Sequence, residues 1–250
     1  MCWRRKTPAP CAICWKSTAS RCRGRPLLAY HDHNGEAARP RLLAELRAGK
    51  SVAYASEAGT PLIADPGFQL ARAAIAEGLP VLAAPGASAV LCALTVSGLP
   101  SDRFLFAGFL PNRSAARQQD LRALAATPAT LIFYESPKRL AACLRDMVLV
   151  LGPDRHAAVC RELTKKFEEV TRGTLAVLAD AYALRAVKGE VVVLIDRMAD
   201  RKPAETDIDA ALVQALLALS VKDAASEVAE KLGLTRRDAY QRALALGKDR

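Results

Sequence analysis

The chain is short of several things that would make its function easy to read. Aromatic residues are only 5% of the 250 residues, and histidine occurs three times. No unbroken apolar run approaches the roughly 18 to 20 residues that cross a bilayer. Met147–Leu151 and Val191–Ile195 are short, and the uncharged stretch from Gly78 to Ser101 is interrupted by Pro80, Pro85, Gly86, Ser88 and Gly98. The expectation is a soluble, cytoplasmic protein with no membrane partner. Neither a Walker A loop nor a G-x-G-x-x-G fingerprint occurs, so P-loop ATP binding and ordinary dinucleotide binding lose their usual support. Zinc is not supported either. Cys11 and Cys14 form a C-x-x-C, but Cys2, Cys22, His31 and His33 do not supply a well-spaced second pair. No metal is expected. Cys92, Cys143 and Cys160 stand alone in apolar or mixed segments and read as small hydrophobes in a reducing cytosol.

Acidic residues are missing from the opening "MCWRRKTPAPCAICWKSTASRCRGR", which holds four of the seven cysteines, both tryptophans and seven Lys/Arg. The formal charge of +10 therefore comes mostly from these first 25 residues; the other 225 carry 29 basic and 26 acidic side chains. The body is only mildly basic, and global charge is weak support for a nucleic-acid partner. The opening has no apolar segment of a secretory signal, and Pro8 and Pro10 oppose an amphipathic presequence helix.

From Arg25 onward the pattern becomes regular. "RPLLAYHD" reads as a strand and loop, and "NGEAARPRLLAELRAGK" as a helix with Leu42, Leu43 and Leu46 on one face. "SVAYAS" and "VLAAPG" read as strands. "FQLARAAIAEGLP" and "SAVLCALTVSG" read as helices, the second opened by Ser88 and closed by Gly98. This alternation implies parallel βα units. After Pro100 the rhythm changes. "FLFAGFL", "ATLIFYES", "HAAVCREL" and "KGEVVVLIDR" read as strands. "SAARQQDLRALAAT" reads as a helix capped by Ser114, and "PKRLAACLRDMVLVLG" as one with Pro137 in its first turn. "FEEVTRGTLAVLADAYA" mixes strand and helix. Beyond a polar linker, "IDAALVQALLAL", "VKDAASEVAEKLGL" and "TRRDAYQRALAL" read as three short helices, the last two joined at Gly233 with helix-turn-helix grammar. That pair suits RNA or a protein surface equally.

Two loops carry the chemistry. "ASEAGTPLIADPGF" follows a strand, at the sheet end where open α/β folds place ligands. Gly59 permits close backbone approach, Pro61, Pro66 and Gly67 stiffen the turn, and Glu57 and Asp65 offer carboxylates to ribose hydroxyls or an amino group. "APGASA" follows the next strand, and Gly86 and Ser88 start a helix whose first amides suit an anion. One such loop would be a tight turn. The pair, with Asp65 and Ser88, makes a pocket for a nucleoside-bearing ligand.

The ordered set "SEAGTPLIADPG", "PGASA", "SGLPSDRFLFAGFLP", "TLIFYESPKRL", "RELTKKFEEVTRG" and "KGE" resembles the small-subunit ribosomal RNA methyltransferase I family of the tetrapyrrole-methylase superfamily. The resemblance runs from about Pro26 to Ile195, and the C-terminal helices also look like that family's tail. It implies an α/β, two-domain tetrapyrrole-methylase-like fold, with a mostly parallel N-terminal sheet, a mixed-sheet second domain and a small helical C-terminal tail. It implies methyl transfer from S-adenosyl-L-methionine to a ribose 2′-hydroxyl of a cytidine in 16S ribosomal RNA of the small ribosomal subunit, by a homodimer. By motif, Ala58, Gly59, Thr60, Ile63 and Asp65 line the cofactor, with Ser88 and Ala89 on the second loop and Tyr134 reaching in from the second domain. A ribose hydroxyl is a poor nucleophile and gains from a base or a nearby cation. Glu135, Glu162 and Lys165 are the candidates, with Glu168, His31 and His33 behind them. Lys138, Arg139, Lys166, Arg236 and Arg237 are candidate RNA contacts. The alternatives are a tetrapyrrole methylase, which the low aromatic content opposes, and a non-catalytic RNA-binding remnant.

The sequence departs from the family pattern at Glu57, usually Asp, and at Ala87, usually Pro. The larger departure is upstream, where neither a "TPIGN"-type loop nor "AEDTR" appears. Read two bases out of frame, permitted codons for the opening spell "VLAEEDTRTLRHLLEIHGVPL". The expectation is that residues 1–25 are a frame-shifted start. Residues 26–102 are then an incomplete cofactor domain, 103–198 the second α/β domain, 199–208 a linker and 209–250 the helical tail. A chain made this way is expected to bind S-adenosylmethionine weakly or not at all.

Overall fold

The computed structural model describes residues 2–4, 26–31, 33–56, 58–198, 205–232 and 234–248. The chain divides into two compact units, Met1–Arg197 and Met198–Arg250.

The first unit is built on a five-stranded sheet. Its strands are β3 (Phe104–Phe109), β4 (Thr130–Glu135), β5 (His156–Arg161), β6 (Glu169–Thr174) and β7 (Val191–Ile195). Their order across the sheet is β3-β4-β7-β5-β6. Only β3 and β4 pair in parallel; the β4–β7, β7–β5 and β5–β6 pairs are antiparallel. Side chains alternate faces along a strand. Leu131, Phe133, Val159, Val193 and Ile195 therefore join one core, and Ile132, Ala158, Cys160, Val192 and Leu194 the other. All of Val191–Ile195 is buried because β7 is a central strand covered on both sides.

Three helices cover the first face: α4 (Ser114–Leu124), α5 (Leu140–Leu151) and α6 (Leu175–Tyr182). They contribute Leu121, Leu140, Leu144, Met147, Leu175, Leu178 and Tyr182. α4 and α5 are also joined by a buried ion pair, Arg117 to Asp146 at 2.6 Å. Ser114 and Gln118 donate to the same carboxylate, so both charges of this buried pair have partners. Ser114 therefore does not cap α4 as its position predicted; Arg113 is the capping residue. Pro137 likewise lies in the turn before α5, whose capping residue is Arg139.

The opposite face is covered by α3 (Ala89–Ser97), through Val90, Ala93 and Leu94. Arg172 of β6 donates to the carbonyls of Val96 and Ser97, at the carboxyl end of α3. Gly98 then turns the chain in the left-handed region, φ 76°. The helix that follows the second predicted loop is thus clamped onto the sheet.

Upstream, the short parallel strands β1 (Cys2–Arg4) and β2 (Leu27–Ala29) pair with one another. α1 (Gly35–Arg47) and α2 (Phe68–Ala76) enclose a small core of Tyr30, Leu42, Leu43, Leu70 and Ala74. The two strands expected at 51–56 and 81–86 form no ladder: Ala53 makes an isolated bridge, and residues 79–88 carry no strand assignment. The apolar pattern of "VLAA" matches a strand, but a parallel strand needs neighbours to fill its hydrogen bonds and cover its side chains. Leu82 is 91% exposed. The C-x-x-C at Cys11 and Cys14, and the rest of the stretch from 5 to 25, lie outside the described residues, as do Asp32, Glu57, Gly233 and most of the linker.

The second unit holds α7 (Glu205–Ala215), α8 (Val221–Leu232) and α9 (Arg236–Lys248). Ile208, Leu212, Ala225, Val228, Ala229, Ala239 and Ala243 form its core. Ser220 and Thr235 accept from the amides of Asp223 and Asp238, capping α8 and α9. Arg242 of α9 pairs with Asp209 of α7 at 2.5 Å.

Candidate active site

The first loop, 55–67, is shaped by backbone that few residues adopt. Leu62 (φ 71°) and Ala64 (φ 54°) sit in the left-handed region, a local strain that marks functional loops. Gly67 follows at φ 124°, and a Cβ there would lie 2.7 Å from the Tyr54 ring. The Tyr54 hydroxyl donates to the Pro66 carbonyl at 2.5 Å and closes the turn.

The second loop lies against the first. The Thr60 hydroxyl donates to the Ala87 carbonyl at 3.0 Å. At Gly59, φ is 69° and a Cβ would come 3.8 Å from that same carbonyl, so a side chain would occupy the space between the loops. Ala58, Gly59, Ile63 and Ala89 are exposed along this seam, while Thr60, Asp65 and Ser88 are half-buried. Ser88 caps α3 in extended backbone but makes no side-chain capping bond. The amino end of α3 is therefore available in character to an anion.

Tyr134, at the end of β4, brings the sheet to these loops. Its ring packs against the cluster that holds Val90, Ala93 and Leu94 of α3. Its pKa is raised, first by burial, then by the charges of Asp65 and Glu190 and by Cys92. The charges of Asp65 and Glu190 thus both act on this one phenol. Phe106 and Phe109 of β3 meet the Tyr134 ring edge-on, with centroids at 4.7 Å and 5.6 Å.

A second cluster joins β5 to β7. Lys165 Nζ lies 2.9 Å from Glu162 Oε1 and 3.0 Å from Glu190 Oε2. The Glu190 amide donates to the Glu162 carboxylate, and the Glu162 amide to the Glu190 carbonyl, both at 2.9 Å. Gly189 makes room for this. A Cβ there would sit 2.4 Å from Glu162 Cγ, and its φ is 92°. The Glu190 amide and then the Lys165 ammonium hold Glu162 below the usual carboxylate range. Hydrogen bonds to Glu162 and Glu190 raise Lys165. Lys165 is thus a held cation, unsuited to act as a base at neutral pH.

The other candidates are placed differently. Glu135 is 3% exposed and is tied to Arg139 at 3.0 Å and to the Ser136 amide. Arg139 also donates to the Leu110 carbonyl and to Asn112. Both side chains face the turn before α5. Lys138, Lys166, Arg236 and Arg237 are exposed. Cys143 and Cys160 are buried, and burial raises both thiols, Cys160 to about 11. Neither is a nucleophile at neutral pH. His31 and His33 stack edge-on, with the His31 amide donating to Asn34. Among the described residues no group of three His, Cys, Asp or Glu could hold a metal, and no helix is long and apolar enough to cross a membrane.

Sequence reasoning missed Glu190 and Gly189 as site members. The "KGE" motif was the available signal, but only the fold brings it beside "ELTKK". It also missed Arg172, whose role depends on α3 packing against β6.

Residues 16–179 match the family of Tetrapyrrole (Corrin/Porphyrin) Methylases. The chain also shares its fold with diphthine synthase, at a TM-score of 0.58 and 16% identity over 78% of each chain. The cobalt precorrin-4 methyltransferase CbiF aligns at a TM-score of 0.55 and 16% identity, over 78% of this chain and 83% of that one. Fold and loops together define a methyltransferase of the tetrapyrrole-methylase class. Residues 202–247 match the RsmI C-terminal HTH domain. Proteins named ribosomal RNA small subunit methyltransferase I are similar over most of the chain. The one from Mesorhizobium japonicum is 50% identical over 87% of this chain and 74% of its own length. Those from Xylella fastidiosa and Pseudomonas aeruginosa are 47% and 44% identical, over 86% and 88% of this chain and 80% and 79% of their own. The chain belongs to the ribosomal RNA small subunit methyltransferase I family.

Proposed function

We propose that the protein transfers a methyl group from S-adenosyl-L-methionine to a cytidine ribose 2′-hydroxyl in the 16S RNA of the small ribosomal subunit. The observation that carries this reading is the contact of the two loops through Thr60 and Ala87, at the head of the helix that packs against Tyr134. The residues present fit the cofactor: Gly59 leaves a backbone-lined gap at the Thr60–Ala87 seam, and the amino end of α3 suits a carboxylate. Asp65 is placed to accept from ribose hydroxyls. Bound there, S-adenosylmethionine supplies an electrophilic sulfonium methyl. The chain's own task is mainly alignment.

Tyr134, backed by Phe106, screens the site from water. Lys165, held protonated by Glu162 and Glu190, stabilises the acceptor oxygen as the methyl leaves sulfur for it and its proton passes to a solvent water. Glu135 is assigned a positioning role through Arg139, because its carboxylate faces inward. Lys138, Lys166, Arg236 and Arg237 supply phosphate contacts, with Arg139 behind them. A ribosomal substrate implies cytoplasmic work, and the family resemblance implies a homodimer.

The test is labelled methyl transfer to purified small subunits by wild type and Lys165→Met. The variant is expected to lose about 100-fold in turnover while calorimetry finds cofactor binding unchanged. Equal turnover would remove Lys165 from the reaction.

A further inference from the structure

The segment 162–168 is held from several sides. Besides the Glu162–Lys165–Glu190 cluster, the Lys165 amide donates to the Glu162 carbonyl at 3.0 Å and the Glu168 amide to the Lys165 carbonyl at 3.1 Å. The Glu168 carboxylate folds back to accept from the Thr164 amide at 2.5 Å. Glu162 (φ 49°) and Thr164 (φ 63°) occupy the left-handed region, so the loop has little freedom to relax. This stapled loop displays Phe167, which is 62% exposed. The Lys166 ammonium lies 5.6 Å from the centre of its ring. Glu162 and Glu168 are engaged within the loop, and among the described residues no ion pair engages Lys166.

Most of the Phe167 ring is left to solvent, and a ring with an ammonium at its face matches a nucleobase and its phosphate. Fixing the loop in advance lowers the ordering entropy lost on binding. Sequence-specific RNA recognition targets unpaired segments, whose unstacked bases are commonly taken up by aromatic side chains. The staple ends on Glu190, next to Val191, which pairs with Glu135, so the platform lies at the sheet end that carries Tyr134.

We propose that Phe167 is a stacking platform for an unpaired base of the RNA substrate, with Lys166 holding the adjoining phosphate. This rests on the RNA reading of the site but is tested separately from it. The probe is a single-stranded oligoribonucleotide containing 2-aminopurine, whose fluorescence is quenched on stacking. Wild type and Phe167→Trp are expected to quench it. Phe167→Leu is expected to bind roughly tenfold more weakly, without quenching. Phe167→Trp also shows that the loop tolerates a replaced ring. Wild-type quenching and affinity in Phe167→Leu would overturn the proposal. So would a Phe167→Leu chain that sediments as a monomer beside a dimeric wild type with RNA binding intact, since the ring would then face a second copy. Small-subunit methylation without quenching by wild type would overturn the platform and leave the function standing. Quenching without methylation would do the reverse.

Discussion

Gly67 and Gly189 serve unlike purposes. At Gly67 both φ and the Tyr54 ring forbid a side chain, and the turn it makes shapes the first loop. Gly67→Ala is expected to destabilise the fold by about 1–3 kcal/mol, seen as a lower thermal midpoint. Gly189 leaves space for the Glu162 carboxylate, so Gly189→Ala displaces Glu162 and releases Lys165. The expected result is about a tenfold loss of turnover with an unchanged Kd for S-adenosylmethionine. A fall in cofactor affinity with turnover retained would place the cluster in the cofactor cradle instead. A sequence reader sees two glycines in loops and cannot tell these cases apart, because each depends on a side chain brought from another element.

Between elements, the clamps decide what is held. Arg172 ties β6 to the carboxyl end of α3, whose first turns pack against Tyr134. Arg172→Met is expected to weaken cofactor binding about tenfold, the effect of losing a charge-assisted bond, measurable by calorimetry. At the far edge of the sheet, Arg185 and Arg161 hold Glu169 near a pKa of about 2, against an ordinary 4.5. A carboxyl whose pKa is depressed by folding adds stability above its unfolded pKa and loses it as pH falls through the folded value. Acid unfolding should therefore steepen between about pH 4.5 and 2, and Glu169→Gln should flatten that range. The helices after Pro100 and the strands β3, β4, β5 and β7 were legible from their apolar pattern, whereas β6, EVTRGT, has none and its segment read only as a mixture of strand and helix. At 51–56 and 81–86 the expected strands do not form, since the pattern there states only that the segments are apolar. Whether such a segment joins a ladder depends on neighbours far away in sequence. The two loops were legible as a pair from glycine and proline spacing, whereas their contact through Thr60 and Ala87 was not.

The whole molecule consists of two units with separate cores. Removing residues 199–250 is expected to leave the thermal midpoint of the first unit within a few degrees, as two independent cores require. Arg236 and Arg237 open α9 and are exposed. Replacing both with Gln is expected to reduce the salt slope of RNA binding by about two, one per phosphate contact. An unchanged slope would assign this helix pair to protein contact. The most direct test of the function is to transfer labelled methyl from S-adenosylmethionine to purified small ribosomal subunits and digest the RNA to nucleosides. Label in 2′-O-methylcytidine is the predicted result. Label on a base, on a tetrapyrrole offered in competition, or on no RNA at all would contradict it.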